Sequence, residues 1–332
     1  MTTDPHTRPA RFGLVRRLPV EHFADALRAD VLKGLTGRPK TLPPKWFYDA
    51  RGSELFEEIT RLPEYYPTRA ETEILRARSA AVAGATGART LVEIGSGSSR
   101  KTRLLLDALA AHGTLERYAG LDVSEDALRE AGAELCREYP ELHVDAVVTD
   151  LQTDLVLPPA EHGPRLVAFL GGTLGNLDAD ERPAFYAGLR RQLADGDALL
   201  LGADLVKDPE VLVRAYDDAQ GVTAEFNKNV LRVLDRELGA DFDPDAFEHR
   251  AVWDAAAERI EMRLRARTAQ RVELPALNVV TDFDAGEELR TEISVKFRRD
   301  GLTAELARGG FAVREWWTDR AGRFALLLAE PA

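Results

Sequence analysis

Five short apolar runs, each bounded by Gly, Asp or Pro and mostly separated by helical patterns, constrain this chain more than any other feature. They are TLVEI at 90–94, YAGLDV at 118–123, HVDAVV at 143–148, RLVAFL at 165–170 and DALLL at 197–201. Strands that recur after crossover helices build a parallel, doubly wound sheet, whose ligand crevice lies beyond the carboxyl ends of the strands. The residues that follow each strand are therefore where chemistry is expected. After about residue 206 the alternation stops. Helical patterns and strand-like stretches such as RIEMRLRAR at 259–267 then read as an inserted subdomain, and a helix near 300–308 with strands at 311–317 and 323–329 closes the chain as a hairpin. Upstream, Phe23, Leu27, Val31 and Leu32 mark an amphipathic helix ending before Gly37, and a second, short helix holds Leu55, Phe56 and Ile59. Thr68 and Glu71 have capping-box spacing, and the first 17 residues read as a loose tail.

Composition narrows the partners. The 332 residues are 45% hydrophobic, enough for a substantial core and two domains. With 44 Lys plus Arg against 56 Asp plus Glu, the net charge of -12 opposes binding to nucleic acid or to an anionic membrane surface. The single cysteine, Cys136, forms no internal disulfide and no cysteine-rich metal site. No run of about 18 apolar residues and no signal-peptide core occur, so a cytoplasmic location is expected. The histidines His6, His22, His112, His143, His162 and His249 lack HxxxH or HExxH spacing, so no zinc or non-haem iron site is expected.

LVEIGSGSSRKT at 91–102 runs from a strand through a Gly-Ser turn into a helix. Gly95 and Gly97 permit positive φ and close ligand approach, and the amides at the helix start favour an anionic group, either a methionyl carboxylate or a diphosphate. Arg100 occupies the third position of GxGxxG, which disfavours a dinucleotide, and no P-loop sequence is present. Asp122 ends the next strand, where its carboxylate can take both hydroxyls of a ribose or cap a helix, a task that Ser124 can also perform. Asp150 ends the third strand, where it can accept from an adenine amino group with Leu151 packed on the base. Three sites at successive strand ends point to a nucleoside-bearing cofactor.

FLGGTLGNL at 169–177 leaves the fourth strand with an open, glycine-rich backbone. Asn176 can grip an amino or carboxylate group, or simply stabilise the loop. In TEISVKFR at 291–298, Glu292 and Ser294 share one strand face, about 7 Å apart along the backbone, a spacing able to bracket an imidazole. Alternation of this kind also occurs in any half-buried strand. Tyr48, Phe56, Tyr65, Tyr66 and Tyr216 belong to an aromatic set that is mostly core, although a buried tyrosine hydroxyl needs a partner and a ligand can be one.

The order of elements matches class I S-adenosylmethionine-dependent methyltransferases, an α/β Rossmann-like fold, here with a second, substrate-binding domain. More specifically, the blocks LPPKWFYDARGSELFEEITRLPEYYPTR, LVEIGSGSSRKTRLLLDA, FLGGTLGNL, DLVKDPEVLVRAYDDAQGVTAEFN, FEHRAVW, ERIEMRLRARTAQ and TEISVKF resemble the ergothioneine-pathway histidine N-alpha-methyltransferases of actinobacterial type, from about residue 20 onward. The resemblance implies units at 1–65 (the helical part of the substrate domain), 66–206 (methyltransferase core), 207–297 (inserted substrate-binding subdomain) and 298–332 (the helix and hairpin completing the core). It implies trimethylation of the α-amino group of L-histidine, by way of its mono- and dimethylated forms, to hercynine, with S-adenosyl-L-methionine as cofactor and a monomer as the working unit. It assigns Gly95, Gly97 and Lys101 to the cofactor loop, Asp122 to the ribose, and Asp150 with Leu151 to the adenine edge. Tyr65, Gly171, Thr173, Asn176 and Tyr216 fall near the amino and carboxylate ends of histidine. Glu292 and Ser294 fall on the imidazole, Tyr48 and Phe56 line the amine pocket, and Met262 lies near the ring. Asn176 would orient the amine, and Tyr48 or a water path would relay protons. One departure is Gly172, at a position held by serine in a related enzyme. The alternatives are a methyltransferase of another small amine and a catalytically silent binding protein.

Overall fold

The computed structural model describes residues 11–19, 21–150, 155–160 and 163–332. Its larger sheet carries β1 (Phe12–Arg16), β3 (Thr90–Ile94), β4 (Arg117–Asp122), β5 (His143–Val148), β6 (Arg165–Phe169), β7 (Ala198–Asp204), β13 (Phe311–Thr318) and β14 (Phe324–Pro331). The spatial order is β1-β5-β4-β3-β6-β7-β14-β13. All pairs from β1 to β7 are parallel, and β14 runs antiparallel to both β7 and β13. The chain winds outward from β3 through β4 and β5, then returns to β6 on the other side of β3, which places the topological switch between β3 and β6. Residues following those two strands therefore face one crevice.

Strands buried on both faces read as continuous apolar runs because neither face meets water. Leu91, Leu166, Leu200 and Leu326 pack on one side with α3 (Tyr66–Thr86) and α4 (Arg103–His112). Val92, Val167, Leu199 and Leu201 pack on the other with α6 (Arg182–Arg190) and α9 (Arg299–Arg308). α5 (Glu125–Glu138) covers the β1 end of the sheet, where Leu128 of the helix meets Ala146 and Val148.

Two sequence expectations are corrected here. Residues 12–16 are not a loose tail but an edge strand paired to β5, held by Arg16, which donates to both carboxylate oxygens of Glu125 at 2.5 and 2.8 Å. FGLVR is only five residues long, broken by Gly13 and nowhere fully buried, so no apolar run announced it. The pair Thr68 and Glu71 is not a capping box either: α3 starts at Tyr66 with Pro67 in its first turn, Tyr65 is its N-cap, and Glu71 is fully buried.

The smaller sheet has the order β2-β12-β9-β8, from β2 (Lys40–Thr41), β8 (Phe247–Asp254), β9 (Arg259–Ala266) and β12 (Glu288–Val295), beside the hairpin of β10 (Gln270–Leu274) and β11 (Val279–Phe283). Packed around it are α1 (His22–Thr36), α2 (Ala50–Ile59), α7 (Pro209–Tyr216) and α8 (Val222–Leu238). α8 is amphipathic, burying Phe226, Val230, Leu231 and Leu234. The Asp218 carboxylate accepts from its first amides, Val222 N at 3.1 Å and Thr223 N at 2.7 Å, and Gly239 ends it at φ 65, a left-handed conformation suited to glycine. Just after β12, Phe297 N donates to Asp204 O at 2.8 Å and Val206 N donates to Phe297 O at 3.0 Å, so the end of the small sheet is tied to the end of β7. That tie sets β12 against the mouth of the crevice.

Candidate active site

The loop after β3 turns through Gly95 (φ 68), Gly97 (φ 47) and Ser99 (φ 50) before α4. A Cβ built on Gly97 would have no atom within 4 Å, so the loop borders open space. Asp122, at the end of β4, accepts from Gly97 N and Ser124 N at 2.9 Å each, one amide per carboxylate oxygen. Ser124 caps α5 by accepting from Ala127 N at 3.3 Å, so the helix cap does not draw on Asp122. Burial raises its pKa, and the loop amides oppose that rise. A carboxylate offering two adjacent acceptors at a strand end, beside a glycine loop with no side chains to obstruct it, fits a ribose diol and the tail of a nucleoside cofactor.

Asp150 is buried at the end of β5, where Lys45 donates to its Oδ2 at 3.0 Å. An adenine amino group would share that carboxylate with Lys45. Leu151 lies outside the described residues.

On the other side of the switch, Gly171 (φ 78) and Gly172 (φ 73) turn the chain out of β6 into a short helical turn, Thr173–Asn176. The fully buried Glu71 joins the two loops: it accepts from Lys101 Nζ and from Gly171 N, the latter at 2.8 and 3.1 Å to its two oxygens. Thr173 spends its hydroxyl on Leu170 O at 3.0 Å and stabilises the turn. A Cβ on Gly175 would come within 2.7 Å of Val295 O, so only glycine lets this turn lie against β12. The consequence is a direct contact between two distant segments: Asn176 Nδ2 donates to Glu292 Oε1 at 3.2 Å.

β12 pairs with β9 so that Glu292 faces Met262, with a bulge between Arg290 and Glu292. Glu292 is half-buried at the crevice wall and its pKa is raised to about 7, chiefly by burial, against the opposing pull of Lys296 and Asn176. Two residues on, the Tyr216 hydroxyl donates to Ser294 Oγ at 2.8 Å. Rings close the pocket: Tyr48 to Phe56 at 5.6 Å, Phe56 to Tyr65 at 6.2 Å and Tyr65 to Tyr216 at 6.3 Å between centroids. Burial first, then the fields of Glu292, Tyr65, Asp122 and Tyr216, lift the Tyr48 hydroxyl well above its ordinary pKa. The Tyr48 ring also packs on Phe226 of α8, 5.6 Å between centroids. Hydrogen bonds and ring contacts thus join Gly171 to Lys101 through Glu71, Asn176 to Glu292, Ser294 to Tyr216, and the rings of Tyr48, Phe56, Tyr65 and Tyr216 in a row.

Sequence reasoning missed Glu71, Lys45, Lys296 and Asp204. The signal for Glu71 was a carboxylate on the buried face of α3 beside Ile74 and Leu75; for Lys296 it was the next same-face position after Glu292 and Ser294. Lys296 is fully buried and ion-paired to Asp204 at 2.9 Å. Among the described residues no group of three or more His, Cys, Asp or Glu side chains gathers as metal ligands, and no helix is long and apolar enough to cross a membrane.

Comparison with known proteins identifies the family. The family described as histidine-specific methyltransferase, SAM-dependent, matches residues 27–331. A histidine N-alpha-methyltransferase of Mycolicibacterium smegmatis is 57% identical over 317 residues, spanning 96% of this chain and 98% of that protein. Another from Mycobacterium tuberculosis is 57% identical over 304 residues, spanning 92% and 94%. More distantly, a 4-dimethylallyltryptophan N-methyltransferase of Claviceps purpurea is 28% identical over 269 residues, spanning 74% and 78%.

Proposed function

The chain belongs to the histidine-specific, S-adenosylmethionine-dependent methyltransferases, and from that premise we propose that it methylates the α-amino group of L-histidine three times, giving hercynine for ergothioneine biosynthesis. The observation that carries the reading is the 3.2 Å bond from Asn176 to Glu292, which joins the loop after β6 to a carboxylate suited to an imidazole N–H. We place the reaction in the cytoplasm, in a monomeric enzyme.

Bound S-adenosylmethionine supplies a methyl group on a sulfonium, and the loop at Gly95 and Gly97, with Lys101, Asp122 and Asp150, is where this chain would hold it. The protein's task is then to present a neutral α-nitrogen in line with that methyl. Holding the partners in place removes translational and rotational freedom before reaction, a large share of any such acceleration. Because Asn176 gives its Nδ2 to Glu292, its Oδ1 remains to accept an amine N–H and so turn the nitrogen lone pair toward the cofactor. The α-ammonium must lose a proton before the first transfer, and each of the first two products must lose one before the next. Tyr48, whose hydroxyl stays protonated through neutral pH, can hand such protons to water but is too weak an acid to rest as phenolate. After the third transfer the nitrogen is a quaternary ammonium, and the faces of Tyr48, Phe56 and Tyr65 suit that cation.

A methyltransferase of another amino acid is the competing reading, favoured by distant relatives such as the tryptophan-derivative enzyme. Replacing Glu292 decides between them. Glu292→Ala should lower kcat/KM for histidine by about ten-fold to several hundred-fold, since a buried polar partner is left unpaired. Activity on leucine should fall far less or rise. Equal loss on both, in a variant with parental melting and S-adenosylhomocysteine affinity, would assign Glu292 to the scaffold and remove the basis for histidine selection.

A further inference from the structure

We infer that Lys296 is a specificity-determining positioning residue: it occupies an acceptor site on Ser294, leaves that hydroxyl able only to donate, and so makes the crevice take the neutral imidazole ring and refuse the imidazolium. The inference rests on the histidine reading above and concerns which protonation state of the ring is selected.

Lys296 Nζ lies 2.8 Å from Ser294 Oγ, 2.9 Å from the Tyr216 hydroxyl and 2.9 Å from Asp204 Oδ2. An ammonium has three N–H donors, and all three are thereby directed at acceptors. The Tyr216 hydroxyl also donates to Ser294 Oγ at 2.8 Å. Ser294 Oγ therefore accepts twice, which fills its two lone pairs, and its own hydrogen is not taken by any described residue. Only a bare ring nitrogen can meet that hydrogen. Two residues earlier on the same strand face, Glu292 already receives Asn176 Nδ2 and, as a carboxylate, can accept a ring N–H. Ser294 donates and Glu292 accepts, the pattern of a neutral imidazole with one N–H and one free nitrogen. An imidazolium carries two N–H groups and would set one against the Ser294 hydrogen.

The charges around Lys296 keep it in this role. Asp204, at the end of β7, is held by Lys296, by Lys207 at 2.6 Å and by the Tyr66 hydroxyl of α3 at 2.8 Å. Burial would raise the Asp204 carboxyl, but the two lysines outweigh it and hold the pKa below its ordinary value. Lys207 is lowered to about 8, by burial against the pull of Asp204. The remaining titratable groups facing Lys296 are Tyr216 of α7, its ring 4.6 Å from Nζ, and Glu292.

The test is nitrogen NMR of ring-labelled histidine bound to the enzyme saturated with S-adenosylhomocysteine, between pH 5.5 and 8, for the parent and for Lys296→Met. The parent complex should hold a neutral ring, with one protonated and one bare nitrogen, down to pH 5.5. In Lys296→Met the freed lone pair on Ser294 can accept, so the bound ring should become imidazolium as the pH falls below about 6.5, and histidine affinity at pH 8 should drop at least ten-fold. An imidazolium in the parent complex overturns the inference, and so does a Lys296→Met complex whose ring stays neutral over the same range. Should Lys296→Met fail to fold, the parent spectrum alone still decides. Failure of the parent to bind histidine while binding another amino acid would instead sink the functional reading.

Discussion

Asp122 ties the loop after β3 to the start of α5, accepting from Gly97 N and Ser124 N at 2.9 Å each, and we propose that the same carboxylate takes the ribose hydroxyls. Charge-assisted bonds are worth roughly 1.5 to 3 kcal/mol each, so Asp122→Ala should weaken S-adenosylhomocysteine binding by ten-fold or more in calorimetric titration. Unchanged affinity in a folded variant would take Asp122 out of the ribose role. Glu292 offers a test of its electrostatics without any ligand. Burial raises its pKa from 4.5 to about 7, so between those values the folded chain keeps a proton that the unfolded chain has lost. Stability therefore falls as pH rises through this window. A glutamine does not titrate. The melting temperature of Glu292→Gln relative to the parent should shift in the variant's favour from pH 5 to pH 8, and a constant difference would show that the raised pKa is wrong. Glu93, also raised to about 7 by burial, is present in both proteins and cancels.

At the level of elements, the turn after β6 and the strand β12 make the site by touching. The contact depends on Gly175, where a Cβ would meet Val295 O at 2.7 Å and Val295 N at 3.1 Å. Gly175→Ala should push the turn off β12, stretch the Asn176–Glu292 bond and reduce histidine affinity by about ten-fold, the scale of one buried hydrogen bond. Cofactor affinity should hold, because Asp122 and Lys101 sit on other elements; a matching loss of S-adenosylhomocysteine binding would contradict this division. None of this was legible in FLGGTLGNL, whose glycines announced an open loop but not which strand it would press on. The alternation in TEISVKF did place Glu292 and Ser294 on one face, since that periodicity is local. It did not disclose that Tyr216, from a helix 78 residues away in sequence, would complete the pair.

Over the whole molecule, the parallel runs from TLVEI to DALLL were readable because strands covered on both faces must be apolar throughout. The edge strand β1 was not, because Gly13 separates Phe12 from Leu14 and Val15, and two arginines follow at once. Buried ionic partners such as Glu71 with Lys101, and Asp204 with Lys296, were invisible for another reason: their pairing is long-range and each alone looks like an ordinary surface charge. Yet the Glu71 pair ties the loop after β3 to the turn after β6, and the Lys296 pair ties the end of β12 to the end of β7, where we propose that a nucleoside and an imidazole bind side by side. The most direct measurement of that claim is product analysis by mass spectrometry after incubating the purified, EDTA-treated protein with S-adenosylmethionine and an equimolar mixture of histidine, tryptophan and leucine. The account predicts histidine carrying three added methyl groups as the dominant product, with three equivalents of S-adenosylhomocysteine for each. Dominant methylation of tryptophan or leucine, or no transfer to histidine at all, would contradict it.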